Sequence, residues 1–231
     1  MMQQIESNDI GFTGMWSNAT KLDCCILFLN QKLADDVFFD KLTGITCVSE
    51  DMIDKSLEYF QKNHSVPYVY SLNYPALDTL LEKKGFTRYD VQHVFKRTRS
   101  AKKTNAVKIT HDNIDLWTGI FCQAYDCLDW LNPVSSILEN TLHSVDYVVD
   151  ESGSSCMALY EKNSILGLYC LGTIPSKRRH RTAASLIDFA SNHAGSKNLT
   201  LILETYEKDN LLEFYLKLGF EQVYHKTIYT I

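Results

Sequence analysis

The chain has 231 residues, 45% of them hydrophobic and 22% charged, with a formal net charge of -5. That length allows one large domain or two small ones, each with its own core. The balance is that of an ordinary globular protein, and the missing basic excess argues against a nucleic-acid partner.

In chain order, the N-terminus shows no charged stretch leading into an apolar run of secretory type. The most apolar segment, Cys24 to Leu29, is far shorter than the ~20 residues that cross a bilayer. A soluble, cytoplasmic protein with no membrane partner is expected. Cys24, Cys25, Cys47, Cys122, Cys127, Cys156 and Cys170 form no CxxC pair and no Cys/His cluster of zinc spacing. They read as reduced thiols, mostly buried as small apolar residues, and no metal is expected.

A helix is predicted around Asp51–Asn63 and a strand over Val66–Leu72. The segment from Tyr74 to Arg97, YPALDTLLEKKGFTRYDVQHVFKR, reads as an amphipathic helix stopped by Gly85 and followed by strand-like sequence. Lys96 to Asn105 is basic and polar and reads as a linker. Helices are then predicted near Ile114–Tyr125 and Val134–Leu142. Strands are predicted near Asp146–Asp150, Cys156–Glu161 and Ile165–Thr173, joined by turns at Glu151–Ser155 and Lys162–Ser164 that suit antiparallel hairpins. A long helix over Thr182–Gly195, a strand over Leu199–Thr205 and a helix over Leu211–Leu218 follow. Two short strands, Phe220–Val223 and Lys226–Ile231, end the chain. The fold class is α/β with a mixed, largely antiparallel sheet.

The segment Lys208 to Ile231, KDNLLEFYLKLGFEQVYHKTIYTI, resembles the one at Tyr74 to Arg97. Leu77 matches Leu211, Lys83 matches Lys217, Gly85 matches Gly219 and Phe86 matches Phe220. A strand–helix–Gly-Phe–strand unit thus occurs twice, and duplication is the simplest account. The expected organisation is a first copy at residues 1–98, a linker at 99–105 and a second copy at 106–231.

The most informative stretch is Gly172 to Ile187, GTIPSKRRHRTAASLI. A strand runs into a basic loop, and a helix with small residues in its first turn follows. Unpaired N–H groups and the positive dipole end make a helix start an anion site, and phosphate is the natural ligand. Lys177, Arg178, Arg179, His180 and Arg181 add charge there. Taken alone, such a run also fits a solvated loop.

The order of elements favours the ligand. The stretch resembles the pyrophosphate motif of GNAT acetyltransferases, Arg/Gln-x-x-Gly-x-Gly/Ala, through Arg178, Arg181 and Ala183. GLYCLGTIP, from Gly167 to Pro175, looks like that family's strand beside the pantetheine arm. NLLEFYLKLGF, from Asn210 to Phe220, looks like its second signature. The resemblance spans roughly Ile109 to Ile231, and Arg181 stands where the family has its first glycine. It implies acetyl-CoA as cosubstrate, held by Leu171, Gly172, Thr173, Arg178, Arg179, His180, Arg181, Thr182 and Ala183. It also implies direct transfer of the acetyl group to a primary amine, on a small molecule or a peptide.

Such transfer needs the carbonyl polarised, by backbone N–H groups at Leu171 and Gly172, and a proton for the leaving thiolate. The family's acid is a tyrosine, here matched by Tyr215; a phenol, with an ordinary pKa of ~10, is protonated at neutral pH. Glu204 and Glu161 are the candidate bases. Asn210 reads either as a pantetheine contact or as a helix cap. Tyr125 and Trp130 read either as core or as acceptor-pocket residues. Leu81 stands where the second copy has Tyr215, so the first copy is expected to bind no cofactor and to shape the acceptor cleft, bury a flank or form a homodimer. A non-catalytic acyl-CoA-binding module and a purely structural domain are the competing functions.

Overall fold

A computed structural model of the chain describes residues 1–33, 35–97 and 102–231. Its elements are α1 (Met2–Trp16), β1 (Asn18–Leu22), β2 (Cys25–Leu29), β3 (Lys41–Thr43), α2 (Glu50–Lys62), β4 (Val69–Ser71), α3 (Pro75–Lys83) and β5 (Thr87–Arg97). There follow β6 (Val107–Lys108), α4 (Ile114–Ala124), α5 (Leu131–Thr141), β7 (Val145–Val149), β8 (Ser155–Lys162) and β9 (Ile165–Thr173). The chain closes with α6 (Thr182–Ser196), β10 (Thr200–Tyr206), α7 (Leu212–Lys217) and β11 (Phe220–Thr230). The chain forms two compact units. Unit 1 comprises Met1–Asn8, Phe95–Glu204 and Phe214–Glu221; unit 2 comprises Asp9–Val94, Thr205–Glu213 and Gln222–Ile231.

In unit 2 the strands follow the order β1-β2-β3-β4-β11-β5. The pairs β1–β2, β2–β3 and β4–β11 are antiparallel, and β3–β4 is parallel. Helix α2 starts where Ser49 caps it, its side chain accepting from Met52 N at 3.1 Å. Met52, Ile53 and Phe60 recur at helical spacing and bury against Leu27, Leu42, Leu77 and Leu81. Helix α3 takes Pro75 in its first turn, where no N–H is needed. It ends at Gly85, whose φ of 89° is left-handed, and Phe86 N returns to Leu81 O at 3.0 Å. Gly219 ends α7 the same way with φ 84°, and Phe86 and Phe220 are both buried. The two short strands expected over Phe220–Val223 and Lys226–Ile231 are one continuous strand, β11.

Not all seven cysteines are reduced. Cys24 and Cys47 form a disulfide with Cα atoms 5.4 Å apart, tying the β1–β2 turn to the segment before α2. Pairing across 23 residues leaves no trace in spacing. Burial pushes the thiols of Cys25, Cys122 and Cys156 up, which keeps them protonated and unreactive.

The interior of unit 2 holds an ionic cluster. Asp9 on α1 accepts from Lys41 on β3 at 2.9 Å and from Lys226 on β11 at 3.0 Å, and none of the three is more than 1% exposed. The Lys41 ammonium also lies 4.1 Å from the Phe38 ring centroid. Burial favours the neutral acid, but the charges of Lys226 and Lys41 more than reverse this and hold the Asp9 carboxyl well below the usual range.

In unit 1 the order is β5-β10-β9-β8-β7-β6. Asn163 and Ser164, with φ of 53° and 63°, turn β8 into β9 through the positive-φ backbone that lets a two-residue hairpin follow the right-handed twist of its strands. Helix α6 crosses from β9 to its parallel neighbour β10, burying Leu186, Ile187, Ala190 and Ala194. Trp117 on α4 is fully buried, stacked on Phe121 and edge-on to Tyr147, and its indole N–H meets Met157 O at 2.9 Å. Asn8 is fully buried, donating to Tyr160 O and Ile165 O and accepting from the Tyr169 hydroxyl at 2.7 Å. A Cβ at Gly167 would lie 2.3 Å from Asn8 Oδ1, so only glycine fits beneath it.

The expected linker is partly structured. Lys96 and Arg97 belong to β5, and Arg97 is bolted to α6 through Asp188 at 2.9 Å and Ser191 at 2.8 Å. Thr104 donates to Ser185 O, and Asn192 donates to Lys102 O. Residues 98–101 lie outside the described residues. Among the described residues no helix is long and apolar enough to cross a membrane.

Candidate functional site

The site begins with a parting of strands. Parallel pairing of β9 with β10 runs from Ile165–Thr200 to Leu168–Leu203. Beyond Leu168, β9 continues to Thr173 along β8 alone. A bulge lies just past the divergence: Cys156 faces Gly172 and Ala158 faces Tyr169, so β9 carries an extra residue there. Cys170 absorbs it with φ 52°.

Backbone alternation fixes what the freed edge offers. Ile174 N donates to Ser154 O, toward the β8 side. Groups of Leu171 and Thr173, three and one residues earlier, therefore face the other way, into the opening. Their carbonyls are met there by side chains. Tyr125 donates its hydroxyl to Leu171 O at 3.1 Å, and Arg178 donates Nε to Thr173 O at 3.3 Å. Gly172 lets this happen: a Cβ there would meet Ala124 Cβ at 2.7 Å and Tyr125 Cε2 at 3.0 Å. The last turn of α4 thus lies directly on β9.

The basic loop follows. After Pro175–Lys177, the residues Arg178, Arg179, His180 and Arg181 are all exposed. Arg178 reaches back, adding a 3.4 Å bond to Ala124 O at the end of α4. Arg181 precedes α6 with φ 63° and ψ 14°, so it takes the left-handed conformation that glycine adopts freely. Arg179 does likewise with φ 69°. Such conformations cost a side-chain-bearing residue about 1–2 kcal/mol, and they concentrate at functional sites. Helix α6 has no side-chain cap and no acidic residue in its first turn, so the N–H groups of Thr182 and Ala183 open its start to an anion.

A buried serine holds the start of α6 against the sheet. Ser155 Oγ meets Thr173 Oγ1 at 2.8 Å and donates to Thr182 Oγ1 at 2.7 Å. Asp150 in turn accepts from the N–H groups of Ser152, Ser154 and Ser155. Neither Ser155 nor the Tyr125–Leu171 bond is visible in sequence, since each joins residues far apart in the chain.

Glu204 on β10 is the residue after Leu203, the last one paired with β9, so it stands half-buried where the strands part. Glu161 is elsewhere: it faces Leu166 near the start of β9 and pairs with Lys197 at 2.7 Å. Tyr215 is buried on α7, its ring 6.1 Å from Phe95, 5.2 Å from Phe214 and 5.8 Å from Phe220. Asn210 belongs to unit 2, where it ends the turn Glu207–Asp209 with φ 56° and donates to Lys208 O. Leu81 is fully buried in the core of unit 2. Trp130 is half-buried at the start of α5. Among the described residues no group of three or more His, Cys, Asp or Glu is placed to hold a metal ion.

No protein-family model matches the chain, and no curated protein matches it. Solved structures do match its fold. A GCN5-related N-acetyltransferase from Kribbella flavida is similar with a TM-score of 0.72 and 14% identity, covering 98% of this chain and 93% of that one. A GCN5-related N-acetyltransferase from Sphaerobacter thermophilus gives 0.68 and 10%, covering 94% and 82%. A conserved protein of unknown function from Staphylococcus epidermidis ATCC 12228 gives 0.65 and 14%, covering 93% of each chain. The chain therefore has the GCN5-related N-acetyltransferase fold.

Proposed function

We propose that the chain is an N-acyltransferase that moves an acetyl group from acetyl-CoA to a primary amine within a ternary complex. The observation that carries this reading is the β9 edge. Leu171 and Thr173 turn their amide groups into an opening that ends at an uncapped, basic helix start. A pyrophosphate suits the N–H groups of Thr182 and Ala183, with Arg178, Arg179, His180 and Arg181 around it. A pantetheine arm suits the amides of Leu171 and Thr173.

In this mechanism the acceptor amine, once neutral, attacks the thioester carbonyl carbon. Its oxygen gathers negative charge, which the Leu171 N–H stabilises. Gly172 serves by letting α4 close on β9. The carbon–sulfur bond breaks, Tyr215 gives its proton to the thiolate, and Glu204 takes the amine's proton through water. The products are an amide and free coenzyme A.

We read the chain as tandem copies, residues 1–98 and 106–231 joined by 99–105, with terminal segments of the second copy contributing to unit 2. The first copy has Leu81 where the second has Tyr215 and holds no cofactor.

A second reading, a non-catalytic acyl-CoA-binding module, draws on one feature: Tyr215 is enclosed by three aromatic rings. Calorimetric titration with acetyl-CoA tests the shared premise, with Arg179→Ala/Arg181→Ala as comparison. Saturable binding weakened by the double substitution is expected; no binding at millimolar ligand refutes both readings. Release of coenzyme A with an amine library then separates them, because Tyr215→Phe slows a transferase and leaves a binding module unchanged.

A further inference from the structure

Resting on the acyl-transfer reading, we propose that Tyr125 sets the acyl-chain length, admitting acetyl and excluding longer chains. The anion site at the start of α6 follows Thr173 in the chain, so a ligand extended from it passes Thr173 first and Leu171 second. The acyl end then reaches the bulge at Cys170. Arg178 holds the Thr173 carbonyl and Tyr125 the Leu171 carbonyl, so Tyr125 stands at the acyl end and Arg178 at the phosphate end.

The Tyr125 ring is fixed from three directions. It packs on Phe121 with centroids 4.8 Å apart, presses on the bare Cα of Gly172, and anchors its hydroxyl on Leu171 O. The residue is 49% exposed, which leaves its ring open to a ligand at the β9 edge. An acyl carbonyl directed at the Leu171 N–H places its alkyl tail against this ring. A methyl group fits before the ring; further methylenes collide with it or displace it.

The test is calorimetric binding of acetyl-CoA and butyryl-CoA to wild type, Tyr125→Ala and Tyr125→Phe. Phenylalanine keeps the ring and loses the hydroxyl bond, so it retains the preference for acetyl-CoA. Alanine opens the space, and the affinity ratio of butyryl-CoA to acetyl-CoA rises by about fifteen-fold, the value for burying two methylenes. Tyr125→Val, which keeps an apolar contact with Phe121, makes the same comparison if the alanine variant does not fold. A ratio unchanged in both the alanine and valine variants overturns the proposal, as does a Tyr125→Phe variant that accepts butyryl-CoA equally. If acetyl-CoA binds no form of the protein, the acyl-transfer reading itself has failed, which is a different result from an unmoved ratio.

Discussion

Replacing Asp9 by Asn removes the only negative charge bonded to both Lys41 and Lys226 among the described residues. All three side chains are buried, so both ammoniums stay out of water and lose their counter-charge. Breaking a buried ion pair costs about 3–5 kcal/mol, and one carboxylate serving two lysines belongs at the upper end. That is a large part of the 5–15 kcal/mol that holds a typical domain. With a urea slope of about 2 kcal/mol/M, the midpoint drops by about 2 M. Trp16, buried in unit 2 and stacked on Phe39 at 4.8 Å, gives a local fluorescence signal for the transition. The triple variant Asp9→Leu/Lys41→Met/Lys226→Met recovers most of the loss, because the cost lies in unpaired charge rather than in lost packing. In wild type the unfolded chain binds the Asp9 proton more readily than the folded one, so this stabilisation is present above about pH 4 and fades as pH falls further. A midpoint shift below about 0.5 M for Asp9→Asn, or a triple variant no better than the single, refutes the reasoning.

Arg181→Gly relieves a left-handed residue and raises stability by about 1 kcal/mol, read as a higher melting temperature, while weakening acetyl-CoA binding through lost charge. Reducing the Cys24–Cys47 bond, which closes 23 residues, lowers the stability of unit 2 by about 3 kcal/mol, measured as the urea midpoint with and without a phosphine reductant. Gly172→Ala forces the end of α4 away from β9 and weakens acetyl-CoA binding at least tenfold in calorimetry, with folding intact by circular dichroism.

Where local chemistry decides, the sequence was readable. The apolar run Ile165–Thr173 is closed by a polar turn and a proline loop, and β9 has those bounds. Thr182 starts α6 because small residues follow a basic loop, and Gly85 and Gly219 stop their helices by conformation alone. Helix α1 is not legible in the sequence because its buried face mixes apolar and polar residues: Asn8, Asp9 and Thr13 share it with Ile5, Phe12 and Trp16. Polar residues buried by distant partners defeat a reading by periodicity. The stretch Gly172–Ala183 stands out in the sequence by its basic residues and its place between a strand and a helix. Its geometry does not, because Arg178 is bonded to backbone at Thr173 and Ala124, and Tyr125 reaches Leu171 across the fold.

The pairing of Asp9 with Lys226 spans 217 positions. At about 5–20 residues per second on a ribosome, Lys226 emerges roughly 10–45 s after Asp9. Through that interval the nascent first helix carries a carboxylate with one of its two cations not yet synthesised. Strand β11, between β4 and β5, arrives later than every strand it joins. Completion of unit 2 therefore waits on the synthesis of β11, and until then β4 lacks the neighbour that pairs with it.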